Sequence, residues 1–591
     1  MDIRKTIKIA GITILSLLAL WILVGVCTGP RIRTWVCGQR YKPEPYERTY
    51  AIEPERGDIF DCDGNQIAGT NIVYDVHMDC CAIDNEPEWA EKSRRLAQEI
   101  ALILPDRTAP EWWDYFQNAR KRRNRYIKIV KDTDLAMVDT LRTLPLFNEG
   151  HYKGGIIIST KEVRTYPYGT LARRTIGSMR SLYNDEHLFG LEGRYNKELT
   201  GQFGSRTLRH TYKRGKWIKE EIEYTEKKDG WNLYTTLDMD IQKVADSILF
   251  SAVDSDKEIQ GGCLALMDVE TGAIKALANM HRFEDGRVGE YLNYLVGYSY
   301  EPGEVAQTMT LAAALSDGLL TSLDEKLPTN HGRLNDSSAV VDQYIRLYEK
   351  RMQTDSISVM DGLAMSSHYV AGQLASRYND SIDYYFGWFG SFCPYFSDFD
   401  VRGSRPLDLV SSLRRDINTV IAMGSGYEFT ATPLHILAFY NMIANKGTRV
   451  EPFIVEKGMR EDESHVKQPQ LNAKRILRES TALQITDALS SCTESGTAKM
   501  FHNHPSHLVG KTGTSRQILA PHLRKGGLDP YMDVDGKRQY ASSFAGFFPA
   551  ENPEYSVICV LFTKPTDKPI YGGKLPAETV RKFIEGTEDL R

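Results

Sequence analysis

Gly510-Lys511-Thr512-Gly513-Thr514-Ser515 lies inside an apolar strand pattern over 507–515, and the segments around it decide the fold class. Residues 543–548 and 555–562 read as two further strands, with Asn552-Pro553 turning between them. Much earlier, 262–267 reads as a strand, 269–272 as a turn and 273–278 as the returning strand. The pattern between these groups is helical, for example over 308–315 and 434–444. Leu237-Asp238 leads into a further helix with Ile241, Val244, Ala245, Ile248 and Leu249 on one face. Two strands, then helices, then three strands predict an α+β domain: an antiparallel five-stranded sheet flanked by helices.

With 591 residues the chain has room for more than one domain. Its 41% hydrophobic and 26% charged composition is that of a globular protein. A net charge of −5 offers no basic surface for nucleic acid, and no nucleic-acid partner is expected. Nine cysteines, at 27, 37, 62, 80, 81, 263, 393, 492 and 559, lack the paired C-x-x-C spacing of a zinc or redox site. Cys80 and Cys81 are adjacent, so a disulfide between them would be strained. No cofactor is expected.

Residues 9–27 are nineteen in number and carry no charge, long enough to cross a hydrocarbon core of ~30 Å. Arg4, Lys5 and Lys8 precede the run and favour a cytoplasmic N-terminus, whereas Arg31 and Arg33 follow it and weaken that signal. No small-x-small cleavage site follows, so the expectation is an uncleaved anchor rather than a signal peptide. Residues 1–28 are read as cytoplasmic tip and single transmembrane helix, with the rest outside the bilayer.

Arg56-Gly57-Asp58-Ile59-Phe60-Asp61-Cys62-Asp63-Gly64-Asn65-Gln66-Ile67-Ala68 reads locally as a hairpin turning at Asp63-Gly64-Asn65. Residues 86–145 are charged and helical in pattern; the cluster Arg120-Lys121-Arg122-Arg123 is read as a solvated helix face. Arg164-Thr165-Tyr166-Pro167-Tyr168-Gly169, Gly190-Leu191-Glu192-Gly193-Arg194-Tyr195 and Leu199-Thr200-Gly201 follow, each Gly or Pro marking a turn. In order and spacing these segments resemble the N-terminal module of class B penicillin-binding proteins, which opens with Arg-Gly-x-Ile-x-Asp-x-x-Gly.

The C-terminal part is similar to the same family. Lys511-Thr512-Gly513-Thr514 matches its Lys-Thr-Gly strand, with Gly496-Thr497-Ala498 upstream. Gly424-x-Gly426 and Thr432-Pro433-Leu434 match landmarks before a long helix, and Ser366-Ser367-His368 falls where Ser-Ser-Asn would be. Tyr300-Glu301-Pro302-Gly303-Glu304-Val305-Ala306-Gln307 corresponds to the nucleophile segment Glu-Pro-Gly-Ser-x-x-Lys. The resemblance runs from Arg56 to about Glu578. It implies 29–230 as an elongated N-terminal dimerisation or pedestal module and 231–591 as a transpeptidase-like, penicillin-binding domain. A bacterial inner-membrane location follows, single pass with the C-terminal domain periplasmic.

The departures from the family fall on the reacting atoms. Serine acyl transfer needs a hydroxyl nucleophile, a base for its proton and donors for the oxyanion. Glu304 replaces the serine, Gln307 the lysine and His368 the asparagine, while Ser366 and Lys511 are retained. An anhydride formed on Glu304 would hydrolyse and store no acyl group, and Gln307 accepts no proton at working pH. Ser366, Lys511, Thr512, Gly513 and Thr514 are the candidate substrate-binding residues, Thr514 through a backbone oxyanion donor. Glu304 is expected at the positive end of a helix, paired with Lys511, as a built-in anion where a substrate carboxylate would be drawn.

Two readings therefore stand: a catalytically inactive scaffold or regulator of peptidoglycan synthesis and cell division, or an active peptidoglycan D,D-transpeptidase with a non-standard nucleophile. The resemblance implies peptidoglycan stem peptides, a membrane glycosyltransferase and other cell-wall or division proteins as partners. Gly510-Lys511-Thr512 also matches the end of a phosphate-binding loop, but position 505 is proline where that loop needs glycine. His502, His504 and His507 precede the strand and are read as a polar loop rather than a metal site.

Overall fold

The structure is a computed structural model that describes residues 44–179, 189–213, 216–333, 342–397, 399–401, 405–409, 416–460, 463–465, 473–524 and 529–590. The anchor expected at 1–28 lies outside these residues. No helix among the described residues is long and apolar enough to cross a membrane.

In chain order the first part comprises β1 (Tyr46–Ile52), β2 (Ile59–Phe60), β3 (Gln66–Met78), α1 (Glu86–Ile103), α2 (Ala109–Lys121), β4 (Ile127–Thr133), α3 (Leu135–Thr143), β5 (Ile156–Thr165), β6 (Gly204–Lys213), β7 (Lys216–Thr225) and β8 (Asn232–Thr235). The second comprises α4 (Met239–Asp254), β9 (Ile259–Asp268), β10 (Ile274–Arg282), β11 (Val288–Gly289), α5 (Gln307–Ser316), α6 (Val359–Ala364), α7 (His368–Ser376), α8 (Pro433–Ala444), β12 (Val455–Arg460), β13 (Glu463–His465), α9 (Glu479–Glu494), β14 (Val509–Arg516), β15 (Tyr540–Phe548), β16 (Tyr555–Thr563) and α10 (Leu575–Thr587). Shorter helical turns lie between them.

Contacts divide the chain into two compact units. The smaller, in its described part 44–55 with 201–230, is the antiparallel sheet β1-β6-β7. The larger holds Arg56–Thr200 with Trp231–Arg591, so the residues expected as one module, 29–230, are shared between the units.

The central sheet of the larger unit runs β11-β10-β9-β16-β15-β14, all antiparallel. It has six strands rather than five, because the two-residue β11 adds an edge beside β10. Strand alternation sends Leu264, Leu266, Phe544 and Leu561 to one face, against Ile241 and Leu249 of α4 and Val580 and Phe583 of α10. The opposite face buries Ala265, Met267, Ala545 and Val560 with Met309 of α5 and Leu437 of α8. Helix starts are marked as the sequence suggests. Asp238 accepts from the amides of Asp240 and Ile241 at 3.0 Å, and Pro433 opens α8 behind Thr432.

The second large sheet, β13-β12-β8-β2-β3-β4 with β5 also on β3, crosses the boundary expected at 230/231. The hairpin expected at Asp63-Gly64-Asn65 is its β2–β3 turn. Within 86–145 the helical expectation holds for α1, α2 and α3 but not for β4, where Ile127 and Ile129 are buried and Lys128 between them is exposed. That period of two is the signal of a strand, outweighed in reading by the charges around it. Arg120 also departs from a solvated face: it donates to Glu86 and to the Cys80 carbonyl and lies 4.8 Å over the Trp89 ring.

The three N-terminal motifs meet at one carboxylate. Glu192 is fully buried; its Oε2 accepts from Arg56 at 2.6 Å and its Oε1 from Arg164 at 2.7 Å. Arg56 continues to Asn196 and Thr200, both at 2.8 Å. All seven described cysteines are free thiols. Removing one partner of a buried ion pair leaves an uncompensated charge, at a cost of about 3–5 kcal/mol. Glu192→Ala is therefore expected to lower unfolding free energy by that order in denaturant titration; a loss under about 1 kcal/mol would show the cluster to be dispensable.

Candidate active site

The segment 300–307 is held from below by the loop before α8. Tyr300 exchanges both backbone hydrogen bonds with Ala431 at 3.0 Å, and the Gly303 amide donates to the Gly426 carbonyl at 3.0 Å. Gly426 sits at φ +82, and a Cβ there would lie 1.9 Å from the Gly303 carbonyl oxygen, so glycine is required for the approach. Glu301 ties the segment to β14: its carbonyl accepts from Ser515 Oγ at 2.5 Å and Gln517 Nε2 at 3.0 Å. Its own carboxyl takes the Glu428 amide at 2.9 Å and the Tyr531 hydroxyl at 3.0 Å, and burial pushes it up to about 7.

From there a 3-10 turn, Gly303–Ala306, leads into α5, which places Glu304 at the helix opening as expected. Ser366 lies between α6 and α7 with left-handed backbone, φ 61. Ser367 caps α7 through the Val370 amide at 3.2 Å, which presents His368 as the first residue of that helix. Lys511, Thr512, Gly513 and Thr514 lie on β14 in register with Ala545, Phe544, Ser543 and Ser542.

These residues converge, with one partner exchanged. Glu304 Oε2 accepts from the Thr514 amide at 2.6 Å, and Oε1 lies 3.2 Å from His368 Nε2. Lys511 is not the ion-pair partner of Glu304, contrary to expectation. Its Nζ donates to Ser366 Oγ and to the Thr512 carbonyl, the latter at 3.3 Å. His368 reaches the carboxylate instead, while Ser366 satisfies the lysine. Ser366 Oγ continues to Thr497 Oγ1 at 3.2 Å and onward to Thr512 Oγ1 at 2.7 Å. Gln307, 1% exposed, donates weakly to the Ser366 carbonyl at 3.4 Å, and its Oε1 has no partner.

Electrostatics follow from these contacts. Burial pushes Glu304 upward, but the His368 hydrogen bond and charge, the Thr514 amide and the Lys511 charge together hold it below its ordinary 4.5. Burial opposes protonation of His368, yet Glu304 holds it above 6.5. Burial depresses Lys511. The arrangement is an internal ion pair laid over a backbone donor, with no hydroxyl at the helix opening to attack a carbonyl.

Thr497, Glu301 and Gln517 were not among the residues expected at the site. Thr497 sits in the Gly496-Thr497-Ala498 match, which carried no role for its hydroxyl, and the other two act through backbone and buried contacts. Two of the three histidines before β14 turn to separate partners: His504 to Ser506 at 2.8 Å and Glu585 at 3.4 Å, His507 to Glu551 at 3.0 Å. Among the described residues the grouping of metal-ligand type is Cys62, Asp63 and Asp238, within 4.8 Å of one another. Asp238 already caps α4, and burial pushes the Cys62 thiol to about 11, so neither is a ready ligand.

Family models match most of the chain. Residues 51–235 match the penicillin-binding protein dimerisation domain, and 262–585 match the penicillin-binding protein transpeptidase domain. The chain belongs to the class B penicillin-binding proteins. This penicillin-binding protein is 23% identical over 569 residues to stage V sporulation protein D of Bacillus subtilis, covering 92% of the chain and 79% of that protein. It is 24% identical over 569 residues to the probable peptidoglycan D,D-transpeptidase PenA of Neisseria gonorrhoeae, covering 92% and 86%. Among solved structures, penicillin-binding protein 2X of Streptococcus thermophilus superposes with TM-score 0.68 at 17% identity, covering 92% of this chain and 80% of that one.

The Glu304–His368 pair makes stability in this penicillin-binding protein depend on pH in a defined way. A raised histidine contributes fully below its unfolded value and loses its contribution as pH rises through the folded one; a depressed carboxyl does the reverse. The pair is therefore fully effective between about pH 4.5 and 6.5. The stability difference between the wild type and His368→Gln is expected to be largest in that window and to shrink on both sides. A difference independent of pH would remove the ion pair from the site.

Proposed function

We propose that this class B penicillin-binding protein is a membrane-anchored, catalytically inactive member of the bacterial peptidoglycan-synthesis and cell-division machinery, acting as scaffold or regulator. The single observation that carries the reading is the Glu304 carboxylate accepting from the Thr514 amide while paired with His368. An acyl-transfer site needs that amide free for the oxyanion, and here the protein's own carboxylate takes it. Loss of one member of such a constellation costs ~10⁴–10⁶ in rate, and Glu304 and Gln307 remove two.

In this reading residues 1–28 anchor the chain, 29–230 form the pedestal module and 231–591 the transpeptidase-like domain in the periplasm. Ser366, Lys511, Thr512, Gly513 and Thr514 are residual groove residues toward stem peptides. A membrane glycosyltransferase is the partner class. The names of relatives such as PenA support the peptidoglycan setting.

A second reading, an active D,D-transpeptidase with a non-standard nucleophile, is favoured by one contact: Lys511 Nζ on Ser366 Oγ, with the lysine's proton affinity lowered by burial. Intact mass of the full chain after benzylpenicillin separates the two. No adduct is expected on the wild type. Glu304→Ser with Gln307→Lys, which returns the missing pair, is expected to gain one. A stoichiometric wild-type adduct that disappears in Ser366→Ala would establish the second reading and overturn the first.

A further inference from the structure

The smaller unit has two chemically different ends. At the end of the sheet where Lys213 lies opposite Lys216, Tyr46, Tyr212 and Trp217 form one exposed aromatic cluster. Tyr46 stacks on His210 at 4.6 Å, its ring lies 5.3 Å from Trp217, and Trp217 lies 5.4 Å from Tyr212. Tyr46 is 49% and Trp217 43% exposed. Beside them Lys213 and Lys216 are direct cross-strand partners, both exposed. Like charges placed opposite each other weaken strand pairing, and neither lysine has a carboxylate partner among the described residues.

Away from that end the charges are balanced inside the sheet. Arg209 pairs with Glu47 at 2.8 Å, and Arg206 pairs with Glu221. Along β7 itself Lys216 and Lys219 at its start give way to Glu220, Glu221 and Glu223. Glu220 lies four strand steps beyond Lys216, about 13 Å, longer than a Debye length of about 8–10 Å. The chain also enters the unit at the cationic end, since Tyr46 opens β1 opposite His210. The uncharged run 9–27 ends nineteen residues before Tyr46, a connection of at most about 68 Å when extended.

We propose that this end of the sheet docks on the membrane surface. Tyr46, Tyr212 and Trp217 enter the interfacial layer, and Lys213 and Lys216 contact anionic phospholipid headgroups. The placement rests on the anchor reading above. Tyrosine and tryptophan settle at the boundary because each ring joins an apolar body to a polar edge. Each lysine near an anionic leaflet adds about fivefold to association, and the surface relieves the repulsion between the two. The acidic stretch of β7 stays on the side away from the lipid.

The test uses the full chain in nanodiscs of neutral lipid or with about one third phosphatidylglycerol, carrying a shallow doxyl quencher. Emission of Trp217 is taken as the difference between wild type and Trp217→Phe. Trp217 is expected to be quenched in the anionic discs. Lys213→Gln with Lys216→Gln is expected to lower the docked-to-undocked ratio by about 25-fold, fivefold per lysine. Trp217 quenched no more in anionic than in neutral discs overturns the proposal. So does quenching that arises only in native membrane vesicles, which would assign this end to a membrane protein. Carbonate extraction of the same chain reads the anchor separately. An extracted chain with Trp217 quenched keeps the docking and loses the anchor; a retained chain without quenching keeps the anchor and loses the docking.

Discussion

A single buried carboxylate organises the larger unit. Glu192 sits between the guanidinium groups of Arg56 and Arg164, and through Arg56 it reaches Asn196 and Thr200. Three segments far apart in the chain are thereby fixed around β2, β3 and β5. The same helical turn carries Tyr195, whose hydroxyl donates to Asp400; Asp400 in turn accepts the amides of Ile454 and Val455, at 2.6 and 2.9 Å. Val455 opens β12, which joins β8 and β2 in one sheet. Charge pairing and strand pairing together carry the N-terminal motifs onto the body that holds the site. A domain boundary drawn where the motifs change cuts through that continuous sheet.

The framework around residue 304 is built from backbone contacts. Glycine at 426, the Tyr300–Ala431 pairing and the Glu301 carbonyl all hold the segment 303–307 against β14. Held there, a carboxylate at 304 meets a backbone amide whether or not a substrate does. Its charge would be costly in so buried a place without compensation, and His368 supplies it. Glu304 and His368, 64 residues apart in the sequence, are one interaction in space.

Local signals made much of this readable from residues alone. The apolar run of the strand over 555–562 and the helical pattern after Asp238 are short-range signals, and both elements lie where the pattern puts them. Resemblance brought Glu304, Ser366, His368, Lys511 and Thr514 to one place. It did not give the partner of Glu304, because the bond to Thr514 joins residues 210 apart and the choice between Lys511 and His368 turns on side-chain reach. β4 was hidden because Lys128, Lys131 and Asp132 mask a two-residue period when the neighbouring segments are helical. Arg120 was misread for a similar reason: a charge run marks a solvated face only if no aromatic ring or carbonyl lies beside it.

The free thiols have a consequence for how the protein is made. Cys263, Cys393, Cys492 and Cys559 are buried, and burial holds each as an unreactive thiol, while Cys80 and Cys81 remain separate. No covalent cross-link among the described residues contributes to the fold, so its stability comes from packing, ion pairs and sheet continuity. The described part of the fold therefore takes shape from noncovalent contacts alone, with no step that pairs its seven thiols.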